Sequence, residues 1–299
     1  MAYLNQKPFI KWVGGKTQLL SNILNLIPND MYNYHEPFLG GGSVLLAILI
    51  LNKNEKIKIR NKIYAYDINQ GLINLYRQIQ SNPNQLYQKI NSYMNEYTNI
   101  NLNNINRNPQ SLDEAKSSKE SYYYWLRKLF NQNSKDSIDS AALFIIINKL
   151  CFRGMYREGP NGYNVPFGHY KKVPTIITED EIIQISELIK NVNFICTDFE
   201  TSLHNISEDD FIYVDPPYAP ENSKSFVGYN VEGFTINKHN KLFEILKSFN
   251  NSKFMMSNSN VDFVLEKFKN YNITTVSARR AINSKNPAST TTEVLICNY

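Results

Sequence analysis

Four consecutive apolar residues, Phe211-Ile212-Tyr213-Val214, stop abruptly at Asp215-Pro216-Pro217-Tyr218. A run of that length and β-rich character predicts a short buried strand, and two prolines forbid a helix directly behind it. Comparable runs predict strands at Asn33 to Glu36, Lys62 to Tyr66, Asn193 to Thr197 and Lys253 to Ser257. Asn272 to Val276 is expected to pair with a closing strand, Thr292 to Tyr299. Between these runs the apolar positions fall at helical spacing. Lys16 to Ile27 stops before Pro28; Val44 to Leu51 has Ser43 as candidate cap; Asn69 to Ile79 and Lys238 to Phe249 follow the same pattern.

The rhythm breaks between Ser81 and Lys190. Ser81 to Asn133 is polar and helical in parts, with an Asn-rich stretch from Asn99 to Gln110 that reads as mobile. Ser137 to Leu150 is an apolar helix, Cys151 to Tyr170 a hairpin-like loop and Glu179 to Lys190 a further helix. The fold class is therefore α/β. One Rossmann-like sheet, from residues 1–80 and 191–299, is interrupted by a mostly helical insertion at residues 81–190. The long polar loop Ala219 to Asn237 is expected to close over bound substrate.

The 299 residues carry a formal charge of +5 and a pI near 8.8, which suits a polyanionic partner without requiring one. Three cysteines and four histidines are scattered, so neither a disulfide framework nor a metal site is expected. The longest apolar stretch, Val44 to Leu51, is too short to span a bilayer, and Met1 to Phe9 lacks a signal-like core. These features predict a soluble intracellular protein. Asn, Ile, Lys and Tyr are abundant throughout, which reads as AT-rich coding and weakens any argument from asparagines.

Candidate chemistry sits at the predicted strand ends, where ligands bind in open α/β sheets. At Asp215-Pro216-Pro217-Tyr218 the carboxylate and the Pro216 carbonyl can accept the two hydrogens of an exocyclic amino group, while Tyr218 stacks on the ring that bears it. A Pro-Pro turn after a core strand is the plain alternative. Glu36-Pro37-Phe38-Leu39-Gly40-Gly41-Gly42 joins a strand to a helix and invites close approach of a ligand. Leu45 occupies the third position of a dinucleotide fingerprint, so a nicotinamide enzyme is disfavoured. Asp67, twenty-five residues after Gly42, suits ribose hydroxyls or a helix cap. Lys11-Trp12-Val13-Gly14-Gly15-Lys16-Thr17 imitates a phosphate loop, but Ile10 stands where that loop needs glycine. Asp198-Phe199 fits either an adenine amino group and face or a cap with a core residue. The loop from Phe152 to Lys172 interleaves Arg153, Arg157, Asn161, Asn164, His169 and Lys171 with aromatic rings, a composition suited to phosphates, base edges and stacking.

Taken in order, these segments resemble the Dam-type (class α) DNA adenine-N6 methyltransferases across nearly the whole chain. The matching segments are Phe9 to Lys16, Glu36 to Gly42, Tyr66 to Tyr76, Cys151 to Gly168, Asp215 to Tyr218 and Glu293 to Tyr299. The resemblance implies a sheet that binds S-adenosyl-L-methionine and an insertion that recognises the DNA target. It implies Asp215, Pro216, Pro217 and Tyr218 as catalytic residues. Trp12, Lys16, Phe38, Gly40, Asp67, Asp198, Phe199 and Asp215 are implied as cofactor residues, with Asp67 on the ribose. Lys11, Phe152, Arg153, Arg157, Asn164 and Pro166 are implied to touch DNA, with Arg157 reading a guanine. The implied partner is double-stranded DNA, the implied target an adenine flipped out of GATC, and the implied state a monomer or weak dimer without metal. A cognate restriction endonuclease is a further partner consistent with this resemblance. Two departures lie in the hairpin: Arg153 replaces an Asn of better-known members, and one residue is missing between Gly162 and Asn164.

Asp215 argues against cytosine-N4 methyltransferases, which usually carry Ser there, and against glutamine methyltransferases, which usually carry Asn. RNA adenine and a non-catalytic DNA-binding homologue stay open as alternatives, the latter disfavoured by the intact motifs.

Overall fold

The computed structural model describes residues 8–204, 206–219, 233–279 and 290–299. The proposed lid, Ala219 to Asn237, lies mostly outside these residues, and its last two positions already belong to a helix. Seven strands form the central sheet: β1 Tyr34–Glu36, β2 Ile63–Asp67, β3 Val192–Cys196, β4 Phe211–Val214, β5 Lys253–Ser259, β6 Asn272–Arg279 and β7 Thr290–Cys297. Their order is β6-β7-β5-β4-β1-β2-β3. Only β7 runs antiparallel to its neighbours. The chain builds outward from β1 to β3, then returns to β4 on the other side of β1. That reversal opens a crevice beyond the carboxyl ends of β1 and β4, the place where such sheets bind ligands.

The helices are α1 Leu20–Leu26, α2 Ser43–Lys53, α3 Gln70–Ser81, α4 Pro83–Asn99, α5 Lys119–Gln132, α6 Ile138–Leu150, α7 Glu179–Ile189, α8 Ile236–Lys247 and α9 Asp262–Lys267, with shorter turns between. Strand side chains alternate between two cores, as a period of two requires. Phe211, Tyr213, Met255 and Leu295 enter one; Ile212, Val214, Phe254, Met256, Val294 and Ile296 enter the other. The second core is closed by α8 and α9 through Leu242, Phe243, Leu246, Val264 and Phe268. Both faces of the sheet are thus covered, which explains why the central strands read as unbroken apolar runs.

The first core continues into the insertion. Helix α6 is apolar on all sides and buried along most of its length, packed against α3, α4 and α5. Its start is set by Ser137, whose hydroxyl accepts the Ser140 N–H. Thr178 and Glu181 form a capping box at α7. The Asn99 to Gln110 stretch, expected to be mobile, is tied to α5: Asn106 N–H donates to Ser121 Oγ at 2.7 Å and Arg107 pairs with Glu120 at 2.7 Å.

One predicted cap is corrected. Ser43 lies inside α2, and the cap position belongs to Gly42 in the left-handed conformation at φ 66°. The Ser43 hydroxyl instead accepts the Lys16 N–H at 3.1 Å, a tertiary bond that local pattern does not reveal. Gly42 is doubly constrained, because a Cβ there would lie 2.3 Å from the Tyr76 hydroxyl oxygen. Gly42→Ala is expected to destabilise the protein by about 2 kcal/mol or more, from left-handed strain together with overpacking. Adding Tyr76→Phe should recover part of the loss, by removing the clash but not the strain. Urea unfolding that leaves Gly42→Ala as stable as the parent would refute this packing.

Candidate active site

The three acids singled out at strand ends, and Glu36 with them, reach the carboxyl edge of the sheet. Glu36 ends β1, Asp67 ends β2, Asp198 follows β3 and Asp215 follows β4. The crevice between β1 and β4 holds the central contact. Lys16 Nζ lies 2.8 Å from Asp215 Oδ2, donates to the Gly14 carbonyl at 2.6 Å and sits 4.8 Å above the Tyr218 ring. Lys16 is delivered by a single 3-10 turn, Lys16–Gln18, anchored on Ser43. The other Asp215 oxygen, Oδ1, is buried and has no hydrogen-bond partner among the described residues. Burial pushes the Asp215 carboxyl up to about 6, against the opposing pull of Lys16. An acid with one oxygen clamped and one unpaired at a switch point is suited to accept a hydrogen from a ligand.

Glu36 received no role from sequence, although it opens the glycine motif. It is buried, accepts the Tyr34 hydroxyl at 2.6 Å and is pushed up to about 8, chiefly by burial, with Asp215 adding to the effect. The position of an acid at the last residue of an apolar strand was the signal available for it.

Asp67 is fixed by the backbone. Its Oδ2 accepts the Gly40 N–H at 3.0 Å and its Oδ1 the Asn69 N–H at 2.9 Å. Burial raises its carboxyl, and these N–H donors resist the rise. The helix-cap alternative for Asp67 is replaced: Asn69 caps α3, accepting the Leu72 N–H. The glycine turn also admits a protein ring. The Trp12 indole lies across it, with Cδ1 2.9 Å from where a Gly40 Cβ would stand, and Trp12 stacks in turn on Tyr156. Phe38 stacks on Phe199 with centroids 5.8 Å apart, and Phe234 meets both. Asp198 is exposed and caps the turn Phe199–Ser202, while Phe199 is buried in the second core. The cap-plus-core reading of that pair therefore describes its contacts.

The hairpin is shorter than a loop of its length suggests. Its strands are Glu158–Gly159 and Gly162–Tyr163, two residues each. Two asparagines hold it and the N-terminal segment. Asn131 of α5 donates to the Tyr163 carbonyl and accepts the Tyr163 N–H; Asn148 of α6 does the same to Lys11. Sequence gave these asparagines no weight. Tyr163 and Val165 point inward, whereas Asn164 and Pro166 are exposed, as alternation demands. Arg157 Nε donates to Asn164 Oδ1 at 2.7 Å, Phe152 is 44% exposed, and the Arg153 guanidinium lies 5.2 Å from its ring. Lys11 Nζ bonds the Tyr170 hydroxyl at 3.0 Å. Thus Lys11, Phe152, Arg153, Arg157, Asn164 and Pro166 all belong to the segments around this hairpin. Among the described residues no helix is long and apolar enough to cross a membrane.

Residues 12–282 match the family model of the D12 class N6 adenine-specific DNA methyltransferases. The chain belongs to that family. A relative named type II methyltransferase M.MjaIII, from Methanocaldococcus jannaschii, is 36% identical over 98% of this chain and 99% of its own. Type II methyltransferase M1.LlaDCHI of Lactococcus lactis subsp. cremoris is 31% identical over 99% of this chain and 96% of its own. A DNA adenine methylase of Escherichia coli (strain K12) is 29% identical over 98% and 95%. The protein is an adenine-specific DNA methyltransferase, and membership of a methyltransferase family implies S-adenosyl-L-methionine as methyl donor.

The protonated state of Glu36 has a consequence for stability. Its carboxyl rises from 4.5 to about 8 on folding, so its stabilising contribution is full below about 4.5 and is lost as pH rises through about 8. Glu36→Gln lacks this dependence. The stability of the parent relative to Glu36→Gln should therefore fall as pH is raised across that window. Parallel melting temperatures across it would overturn the assignment.

Proposed function

We propose that the enzyme transfers a methyl group to N6 of an adenine flipped out of duplex DNA, within GATC. The observation that carries this reading is the unpaired, buried Asp215 Oδ1 beside a lysine-clamped Oδ2. A stacked adenine is out of reach, so the base must leave the helix. Asp215 Oδ1 then accepts one N6 hydrogen and the Pro216 carbonyl the other. This turns the nitrogen lone pair, not its hydrogens, toward the donor. Tyr218 stacks on the base. S-adenosyl-L-methionine supplies an electrophilic methyl group on a sulfonium centre when bound. Trp12, Lys16, Phe38, Gly40, Asp67, Asp198 and Phe199 are assigned to holding it, with Asp67 on the ribose. The residues fit: Asp67 stands at the end of β2 with both oxygens oriented by N–H donors. Rate enhancement comes mainly from positioning.

Residues 81–190 form the target-recognition unit in this reading, and residues 1–80 with 191–299 the catalytic unit. Arg157 reads a guanine through its terminal NH2 groups, because Nε is occupied by Asn164 and fixes the plane of the fork. Phe152 and Pro166 make apolar contacts with bases, while Lys11 and Arg153 supply charge near the hairpin. The higher identity to type II methyltransferases supports a partner nuclease with the same target sequence.

Methyl transfer to two duplexes that differ only in GATC or GTAC tests the reading. N6-methyladenine is expected on GATC alone, and Arg157→Ala should lower discrimination at one guanine by about 1–3 kcal/mol. Methylation of neither duplex would overturn the target assignment, and unchanged discrimination would overturn the role of Arg157. The acid limb of kcat/KM should lie near the Asp215 value of about 6, because the ionised carboxylate is the acceptor. Lys16 lowers that value, so Lys16→Met should move the limb to higher pH. A limb that stays in place or moves down would contradict this coupling.

A further inference from the structure

We propose that Glu293, on the antiparallel strand β7, is a positioning residue for Tyr218. The proposal rests on the stacking role given to Tyr218 above. The Tyr218 hydroxyl donates to Glu293 Oε2 at 2.5 Å, across 75 residues of sequence. A hydroxyl bonded to a carboxylate is among the stronger hydrogen bonds available to a side chain. It acts at the far end of the ring, where a single bond limits the swing of the ring about Cα–Cβ most effectively. The adjacent backbone is held separately. Asn258 Oδ1 accepts the Ala219 N–H at 3.1 Å, and Ser259 Oγ donates to the Ala219 carbonyl at 2.5 Å. Asn258 is fully buried, and both residues end β5, which pairs directly with Glu293 through Ser259. The main chain after Tyr218 is therefore fixed by β5, leaving Glu293 to fix the direction in which the ring points.

Strand direction makes this possible. Parallel strands deliver their last residues to the ligand edge, whereas β7 delivers its first ones. Glu293 lies near the start of β7 and so reaches the same edge as Asp215. Lys16 Nζ, 4.8 Å from the Tyr218 ring, completes a connection from Glu293 through Tyr218 to the Lys16–Asp215 pair. Without the Glu293 bond the ring keeps its place in the chain but loses a defined direction. The expected loss is in productive base stacking, not in donor binding.

The test is a mutant cycle of Tyr218→Phe and Glu293→Ala, with Glu293→Gln as the conservative variant, assayed on a duplex carrying 2-aminopurine at the target position and on its adenine counterpart. Each single variant should lower kcat by about tenfold, in keeping with loss of a hydrogen bond to a charged group, and raise the fluorescence of the bound 2-aminopurine duplex, since a flipped base that no longer stacks squarely on Tyr218 is less quenched. The double variant should be no worse than either single one. Glu293→Gln, which still offers an amide oxygen to the hydroxyl, should recover much of the activity. Affinity for S-adenosyl-L-methionine should stay within twofold of the parent, a readout that separates ring placement from collapse of the sheet. Losses that multiply in the double variant, or a Glu293→Ala enzyme that loses melting temperature but keeps kcat and fluorescence, would overturn the proposal. A Tyr218→Ala enzyme that keeps the parent's kcat and the parent's 2-aminopurine fluorescence would instead remove the flipped-base stacking on which it rests.

Discussion

The contact on which the site depends is the pair between Lys16 and Asp215. It joins the segment before α1 to the end of β4, and hence the two halves of the crevice at the switch point. The side chains are 6% and 17% exposed, so the pair is desolvated and its energy is a balance of large terms. Removing one partner from such a pair costs far more than removing both, because an uncompensated charge is left behind. Lys16 itself cannot move freely. Its N–H is held by Ser43 on α2, and its ammonium also bonds the Gly14 carbonyl. The first residues of α2, the glycine turn and the end of β4 are thereby locked into one arrangement.

That lock matters because three of the carboxyl groups at the edge of the sheet are desolvated. Glu36, Asp67 and Asp215 cannot all be ionised at low cost in a buried setting. The structure divides the problem three ways. Glu36 is pushed up to about 8 and is held by the Tyr34 hydroxyl. Asp67 receives backbone N–H groups from Gly40 and Asn69. Asp215 receives the buried ammonium of Lys16. Keeping Glu36 protonated lowers the negative charge beside Asp215, so that a single lysine suffices. A carboxylate retained in this way, with one oxygen left unpaired, is prepared for a donor before any ligand arrives, and preorganisation of that kind adds no reorganisation cost at the moment of reaction.

Much of this was legible in the sequence where the signal was local. The apolar run before Asp215 and the prolines behind it defined both β4 and its terminal acid. The glycine turn lies between β1 and α2 as its residues imply, and Asp67 ends β2. What was not legible depended on partners distant in the chain. Ser43 has the composition of a cap, but it bonds Lys16, and Gly42 takes the cap position because left-handed backbone is available to it. The glycines also serve Trp12 and Tyr76, whose rings arrive from other elements. Asn131 and Asn148 were obscured by composition, since an asparagine-rich chain offers many equivalent candidates. Only burial and a two-way backbone bond single them out.

The hairpin illustrates how a small element can be rigid without a long ladder. Two residues per strand supply too few cross-strand bonds to define a hairpin in isolation. Asn131 replaces a missing neighbouring strand by bonding both polar groups of Tyr163, and Tyr123 donates to the Val165 carbonyl at 2.8 Å. Gly162 permits that approach, since a Cβ there would stand 2.7 Å from the Asn131 oxygen. The inward residues are therefore held by α5, and alternation alone then turns Asn164 and Pro166 outward. Asn164 orients Arg157 in turn. Rigidity thus passes from the helical core to an exposed guanidinium through three hydrogen-bonded residues. A surface arginine held in this way loses less conformational freedom on meeting a base than a free one would. The same logic of distant helices fixing short exposed segments governs Lys11, which Asn148 holds beside the hairpin.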